Sequence, residues 1–332
     1  MSIKWTQDEE DFIWELMAEE DAEYTYFDMA KLLYDEIGFV YRSAEAIRKF
    51  VSRQEPSYYD DTEIRDTIKL GPKTTGPKIL IFDTEILPIK TYTWGIWKQN
   101  ISDYQIIKDW CLLAWSAKWL NDSTTYGNIL TSAEALARND KRICETLYKL
   151  VDEADILVAY NGDAFDIKKI NSRFFLHKMP PPSPYRTIDP LKQSRKHFGF
   201  TSNKLNYISQ LISNKEKLKT GFDLWVACDN GEQWALDKMF DYNQYDTVLL
   251  EEAFIEMLPW MTGIPNFALY TEMEKPVCSY CGHHQLEENG FYVTSASKYQ
   301  SYRCEKCGGY SRSRLSSVTR IQRENLLINP AE

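Results

Sequence analysis

Four acidic residues in three short motifs carry the chemistry this sequence offers. Asp83-Thr84-Glu85 ends the apolar run Ile79-Leu80-Ile81-Phe82. Asn161-Gly162-Asp163-Ala164-Phe165-Asp166 follows the apolar run Ile156-Leu157-Val158-Ala159-Tyr160. Tyr242-Asn243-Gln244-Tyr245-Asp246 lies inside a segment with helical patterning. Two apart on a strand, Asp83 and Glu85 share a face; four apart on a helix, so do Tyr242 and Asp246. Carboxylates drawn from separate elements into one site repel one another unless cations neutralise them, and Mg²⁺ or Mn²⁺ choose such oxygen ligands. The chemistry open to such a set is two-metal hydrolysis of a phosphodiester.

Those motifs need a scaffold, and the flanking patterns supply one. A strand is expected over Lys78–Thr84, with further strand-like runs at Tyr92–Trp97, Cys111–Trp119 and Ile156–Tyr160. Ala133–Val151 reads as an amphipathic helix, Asp166–Leu176 as the helix after the second motif, and Met239–Leu258 as a long helix stopped by Pro259. Strands with intervening helices make an α/β fold, a mixed sheet flanked by helices.

In this order the three motifs resemble the DEDDy 3′–5′ exonucleases of the ribonuclease H-like superfamily. That family includes the proofreading domains of family B DNA polymerases and free-standing phage and bacterial relatives. The likeness runs from about Lys78 to about Trp260 and includes Trp110–Leu120, Pro180–Asp189 and Thr201–Leu205. It implies a ribonuclease H-like sheet and two Mg²⁺ or Mn²⁺ ions. Asp83, Glu85 and Asp246 would hold the ion that activates water; Asp83 and Asp166 would hold the ion that stabilises the departing 3′-oxygen. Tyr242, with Glu85, would orient the water, and the product would be a nucleoside 5′-monophosphate. The implied substrate is single-stranded DNA or a frayed 3′ end, in phage or bacterial replication, recombination or repair, alongside proteins of those processes. An exoribonuclease is the alternative. A catalytically inactive nucleic-acid-binding adaptor is a second, opposed by the complete set Asp83, Glu85, Asp166, Tyr242 and Asp246.

Neighbouring residues offer rival assignments. Asp163 competes with Asp166, but the family places the ligand after the aromatic residue. Tyr245 competes with Tyr242, but only Tyr242 shares a face with Asp246. Asp241 and Asp189 read as solvated or loop-capping, Asn161 as fixing a turn, and Phe165 as core or as a wedge near a terminal base. Lys204 is a candidate contact to the substrate backbone.

Around the region 78–262 the chain divides further. Residues 1–54 read as a three-helix unit, and Lys4-Trp5-Thr6 with Arg42-Ser43-Ala44-Glu45-Ala46-Ile47-Arg48 resembles Myb/SANT helix-turn-helix modules. That likeness implies DNA contacts from Arg42, Arg48, Lys49 and Arg53, with protein docking as the alternative. Residues 55–77 read as a turn-rich linker, 263–275 as a second linker, and 317–332 as a tail. Within 276–316, Cys278-Ser279-Tyr280-Cys281-Gly282 and Cys304-Glu305-Lys306-Cys307-Gly308 read as the two knuckles of a zinc ribbon holding one structural Zn²⁺. Phe291–Thr294 and Tyr299–Arg303 are its expected strands. His283 and His284 are surface residues on this reading, and Cys111, Cys144 and Cys228 inert core.

Net charge over 332 residues is −10, yet the segment 298–323 sets seven Lys or Arg, including Arg312 and Arg314, against the single acid Glu305. A local basic surface of that kind is compatible with phosphate binding. No apolar run approaches the roughly 18 residues of a membrane span, and the N-terminus lacks the blocks of a signal peptide. The expected location is cytoplasmic, in the host cell if the chain is of phage origin.

Overall fold

The computed structural model describes residues 11–13, 76–215, 220–271 and 273–328. Apart from residues 11–13, the three-helix unit expected over 1–54, with Arg42, Arg48, Lys49 and Arg53, lies outside the described residues, as does nearly all of the linker over 55–77.

Strand β1 (Ile79–Leu87) is the centre of the molecule. A short pair, β2 (Lys90–Thr91) and β3 (Ile106–Lys108), follows it, then β4 (Cys111–Trp119) and β5 (Thr125–Ile129). With β6 (Ile156–Val158) and β7 (Arg186–Ile188) they give a five-stranded sheet in the order β5-β4-β1-β6-β7. β1 runs antiparallel to β4 and parallel to β6, so the sheet is mixed. Covered on both faces, the first half of β1, Ile79–Phe82, reads as an unbroken apolar run, as such strands do. Leu80 and Phe82 enter one core, and Ile79 and Ile81 enter another on the opposite face.

Helices α1 (Ser132–Ala137), α2 (Lys141–Glu153), α3 (Asp166–Leu176), α4 (Pro190–His197), α5 (Leu205–Ser213), α6 (Phe222–Asp229) and α7 (Gln233–Met257) flank this sheet. The architecture is the expected mixed α/β sheet between helices. α7 serves both cores, the first through Leu236 and Met239 and the second through Leu250, Phe254 and Met257. No helix among the described residues is long and apolar enough to cross a membrane.

Three local expectations are corrected. The single helix expected over Ala133–Val151 is two, because Arg138 turns left-handed with φ 51°. Its guanidinium leaves the helix to bind Asp229 at 2.6 Å and the carbonyls of Pro88 and Asp109. Tyr92–Trp97 is no strand: beyond the short β2–β3 pair it has no ladder partner and no core, and Trp94, Ile96 and Trp97 stand exposed. The long helix starts at Gln233 rather than Met239, since Ala235 and Leu236 already bury against the first core.

Beyond α7, residues 263–275 include a 3-10 turn at Phe267–Tyr270 whose Phe267 packs into the second core. β8 (Leu286–Val293), β9 (Lys298–Cys304) and β10 (Tyr310–Arg312) form a separate antiparallel sheet, followed by the exposed helix α8 (Arg320–Asn325). Tyr280 ties this unit to the five-stranded body, donating its hydroxyl to Met261 O at 3.1 Å and packing on the second core. Cys111, Cys144 and Cys228 are buried, and burial pushes all three thiols up, Cys111 and Cys228 to about 12.

A fully buried carboxylate, Asp140, anchors α2 to the sheet and to α3. Arg173 binds it through two nitrogens at 2.6 Å each, His177 Nε2 lies at 2.6 Å, and Leu112 N–H donates at 2.7 Å. Burial opposes the charge, but the bonds from Arg173, His177 and Leu112 outweigh it and hold Asp140 below the usual carboxylate range. Its stabilisation is therefore complete above the ordinary carboxylate pKa and lost as pH falls through the depressed one. Asp140→Ala strands the Arg173 charge and should cost about 3–5 kcal/mol in urea unfolding at neutral pH. A cost below about 1 kcal/mol, the range of a surface ion pair, would show that this network is solvated.

Candidate active site

The acidic site forms where β1 meets α7. Asp83 pairs in register with Ser116 of β4. Ser116 Oγ reaches α7, donating to Asn243 O at 2.7 Å and meeting the Thr247 hydroxyl. From the same stretch of α7, Asn243 Nδ2 donates to Asp83 Oδ2 at 2.7 Å. One turn on, Asp246 completes the group: one carboxylate oxygen from each of Asp83, Glu85 and Asp246 lies within 4.8 Å of the others. Asp246 is only 2% exposed. Three like charges this close, one of them almost out of reach of water, make a donor set that a hard divalent cation would fit. Immediately after Glu85 the β1–β4 register slips between Glu85 and Ile86, a bulge of the kind that re-aims side chains beside active sites.

Tyr242 lies against this group, half-buried, with its ring edge-on to Trp225 of α6 at 6.3 Å. Burial, then the charges of Asp246, Glu85 and Asp83, and a hydrogen bond to Asp246 all push its phenol up. Tyr242 is thus a protonated donor at neutral pH. Tyr245 points elsewhere and is buried at 7% exposure, as its place on the helix predicts.

Asp166 stands apart from the three. It opens α3, is 3% exposed, and its Oδ1 accepts from Thr84 N–H at 3.2 Å and the Thr84 hydroxyl at 2.6 Å. The topology explains this contact. β6 ends at Val158, opposite Ile81, so the β1 edge beyond it lacks a strand partner, and Asp166 supplies the acceptor. Burial raises its carboxyl to about 6. Asp166 therefore sits beside Thr84, the residue that separates Asp83 from Glu85.

The rivals separate cleanly. Asp163 is engaged by Lys192 at 2.6 Å. Asp189 caps α4 through Leu191 N–H and fixes the Asn161 turn by accepting Asn161 N–H at 2.9 Å, with Asn161 left-handed at φ 65°. Asp241 is buried rather than solvated. Phe165 is exposed rather than core, and Lys169, one turn along α3, lies 3.8 Å above the Trp110 ring. Lys204 is exposed where α5 begins, and Arg312 and Arg314 are exposed on and after β10. Thr84, Ser116 and Asn243 join the site without a motif of their own. The only signal was their polarity: Thr84 and Asn243 lie within the acidic motifs themselves, and Ser116 interrupts an apolar strand.

Four cysteines form the second cluster. The Sγ atoms of Cys278, Cys281, Cys304 and Cys307 lie within 4.8 Å of one another, and Cys278–Cys307 and Cys281–Cys304 are each 3.6 Å apart. Zinc–sulfur bonds of about 2.3 Å place tetrahedral sulfurs about 3.8 Å apart, so the set fits one Zn²⁺. Gly282 and Gly308 take positive φ of 69° and 73°, and each N–H closes its knuckle onto the first cysteine's carbonyl at 2.9 Å. His283 bonds Gln285 and stays outside the cluster.

Residues 119–258 match the RNase_H_2 family model, described as RNase_H superfamily. This part of the chain is similar to RNase H-superfamily domains. It holds Asp166, Tyr242 and Asp246, while Asp83 and Glu85 precede the matched range. Among solved structures, the family B DNA polymerase from the hyperthermophilic archaeon Pyrobaculum calidifontis is similar at 14% identity with a TM-score of 0.41. That similarity covers 55% of this chain and 25% of the polymerase, so the chain spans about a quarter of its length. No curated protein matches.

Proposed function

We propose that the chain is a metal-dependent 3′–5′ exonuclease of the DEDDy type, acting on single-stranded or frayed 3′ ends of DNA and releasing nucleoside 5′-monophosphates. The observation that carries this reading is the convergence of Asp83, Glu85 and Asp246 from a strand and a helix, with Tyr242 bonded to Asp246. Asp83, Glu85, Asp246 and, bonded to Thr84 between them, Asp166 would hold two Mg²⁺ or Mn²⁺ ions. Such ions supply a nucleophile near neutral pH and offset charge on the leaving oxygen.

The protein's own groups do the rest. Asn243 fixes one oxygen of Asp83 and so presets which oxygen faces the cations. Thr84 does the same for Asp166. Tyr242, kept protonated, orients the attacking water by a hydrogen bond. The Cys278–Cys307 cluster would hold one structural Zn²⁺, and the N-terminal module would add DNA contacts in phage or bacterial DNA metabolism.

Incubating the full chain with 3′- and 5′-labelled DNA and RNA oligomers, with Mg²⁺, Mn²⁺ or chelator, tests the proposal. Stepwise metal-dependent shortening of DNA from the 3′ end supports it. Preference for RNA would make the protein an exoribonuclease, and no cleavage under any metal would end the nuclease reading.

Tyr242→Phe keeps the ring, its Trp225 contact and all four carboxylates. Turnover should fall roughly 10²–10³-fold while the Michaelis constant changes little, as for other groups that position a reactant in the transition state. Tyr245→Phe should leave turnover near the parent's. If Tyr245→Phe is the damaging change, the register of the third motif is wrong.

A further inference from the structure

The zinc-ribbon sheet presents a face that the proposed reaction does not use. Pairings Tyr292↔Tyr299, Ser301↔Arg312 and Arg303↔Tyr310 set these residues side by side across β8, β9 and β10, so alternation places all six on one face. Tyr292 and Tyr310 are each 51% exposed. The Arg312 guanidinium rests 4.1 Å from the Tyr299 ring centre and 5.4 Å from that of Tyr292. It donates to Ser313 O and, among the described residues, pairs with no carboxylate. Near the knuckles the other face is already engaged: Cys304 is buried and Ser311 bonds Ser279.

We propose that Tyr292, Tyr299 and Arg312 form a stacking platform for unpaired nucleic acid, binding the single strand whose 3′ end the acidic site would process. The inference rests on the exonuclease reading for the identity of that strand, but its chemistry stands on the ribbon alone. Tyr292, half-exposed, and the partly exposed Tyr299 paired with it across neighbouring strands suit successive bases, because every base has a π-face. A duplex hides those faces. The guanidinium beside the rings provides the phosphate partner, and seven basic residues against one acid over 298–323 give the segment the matching charge. An acidic peptide would satisfy the charge but would leave the tyrosines without a role.

The test is equilibrium binding of labelled single-stranded and duplex DNA to the full zinc-loaded chain without added Mg²⁺ or Mn²⁺. Tyr292→Ala with Tyr299→Ala should weaken single-strand binding about tenfold or more, in line with base–aromatic stacking, and leave duplex binding alone. Tyr292→Phe with Tyr299→Phe keeps the rings and should bind as the parent. Arg312→Ala should reduce the salt slope by about 0.7, one phosphate on a single strand, whereas the tyrosine changes should not move it.

Zinc content equal to the parent's establishes that each variant is folded. Parent-like affinity in the alanine pair, equal loss for duplex and single strand, or equal loss in the phenylalanine pair would overturn the platform. The exonuclease reading fails separately, if the parent binds single strands through these tyrosines yet cleaves none with any metal.

Discussion

Asp83→Ala and Asp246→Ala are each expected to reduce hydrolysis at least about a thousandfold, roughly 4 kcal/mol on the barrier. Each removes a member of the group whose oxygens lie within 4.8 Å of one another. The fold should survive and, without divalent cations, should melt no lower than the parent, because a like charge is gone from a crowded site. Addition of Mn²⁺ should raise the parent's melting temperature and have far less effect on either variant. Asp246→Asn gives a control of nearly the same shape for the almost fully buried Asp246. Activity within tenfold of the parent, a barrier change of about 1.4 kcal/mol, would mean the site has been misplaced.

The second large effect concerns the cysteine cluster. Cys278→Ser with Cys304→Ser takes one ligand from each knuckle and should release about one zinc per chain by elemental analysis. Structural zinc binding is worth about 10–16 kcal/mol in small isolated modules and is coupled to their folding. Amides of β8, β9 and β10 should therefore lose protection from hydrogen exchange while those of β1 and β4 keep theirs. The break should reach the body at Tyr280, which packs on the second core and bonds Met261 O. A purified parent free of zinc would end the claim.

The sequence made β1 and the helix after the second motif plain for a local reason. An apolar run ending in Asp83, and Asp166 opening an amphipathic stretch, need only near neighbours to be read, and α3 spans Asp166–Leu176 as expected. Arg138 was opaque because its left-handed turn is fixed by Asp229, 91 residues away. Tyr92–Trp97 misled because an aromatic-rich run signals a strand only where a sheet or core lies beside it. At the site, the types Asp83, Glu85, Tyr242 and Asp246 were legible from spacing. The Asn243–Asp83 bond was not, since it depends on how α7 rolls over the sheet, and neither was the pairing of Asp166 with Thr84.

α7 also bears on how this chain can vary in length. Its first half is seated in one core, its second half in the other, and the acidic site lies between them. Inserting or deleting one residue near Tyr242 would rotate the halves relative to each other by about 100°. Neither core could then accept its half without expelling the other, and Asp246 would swing away from Asp83. Tolerated insertions should instead accumulate in the excursion between β1 and β4, whose base is clamped by Arg138, Asp229 and Lys90 while its tip touches no core. A lineage could lengthen or shorten that excursion residue by residue and leave the spacing of Asp83, Glu85 and Asp246 untouched.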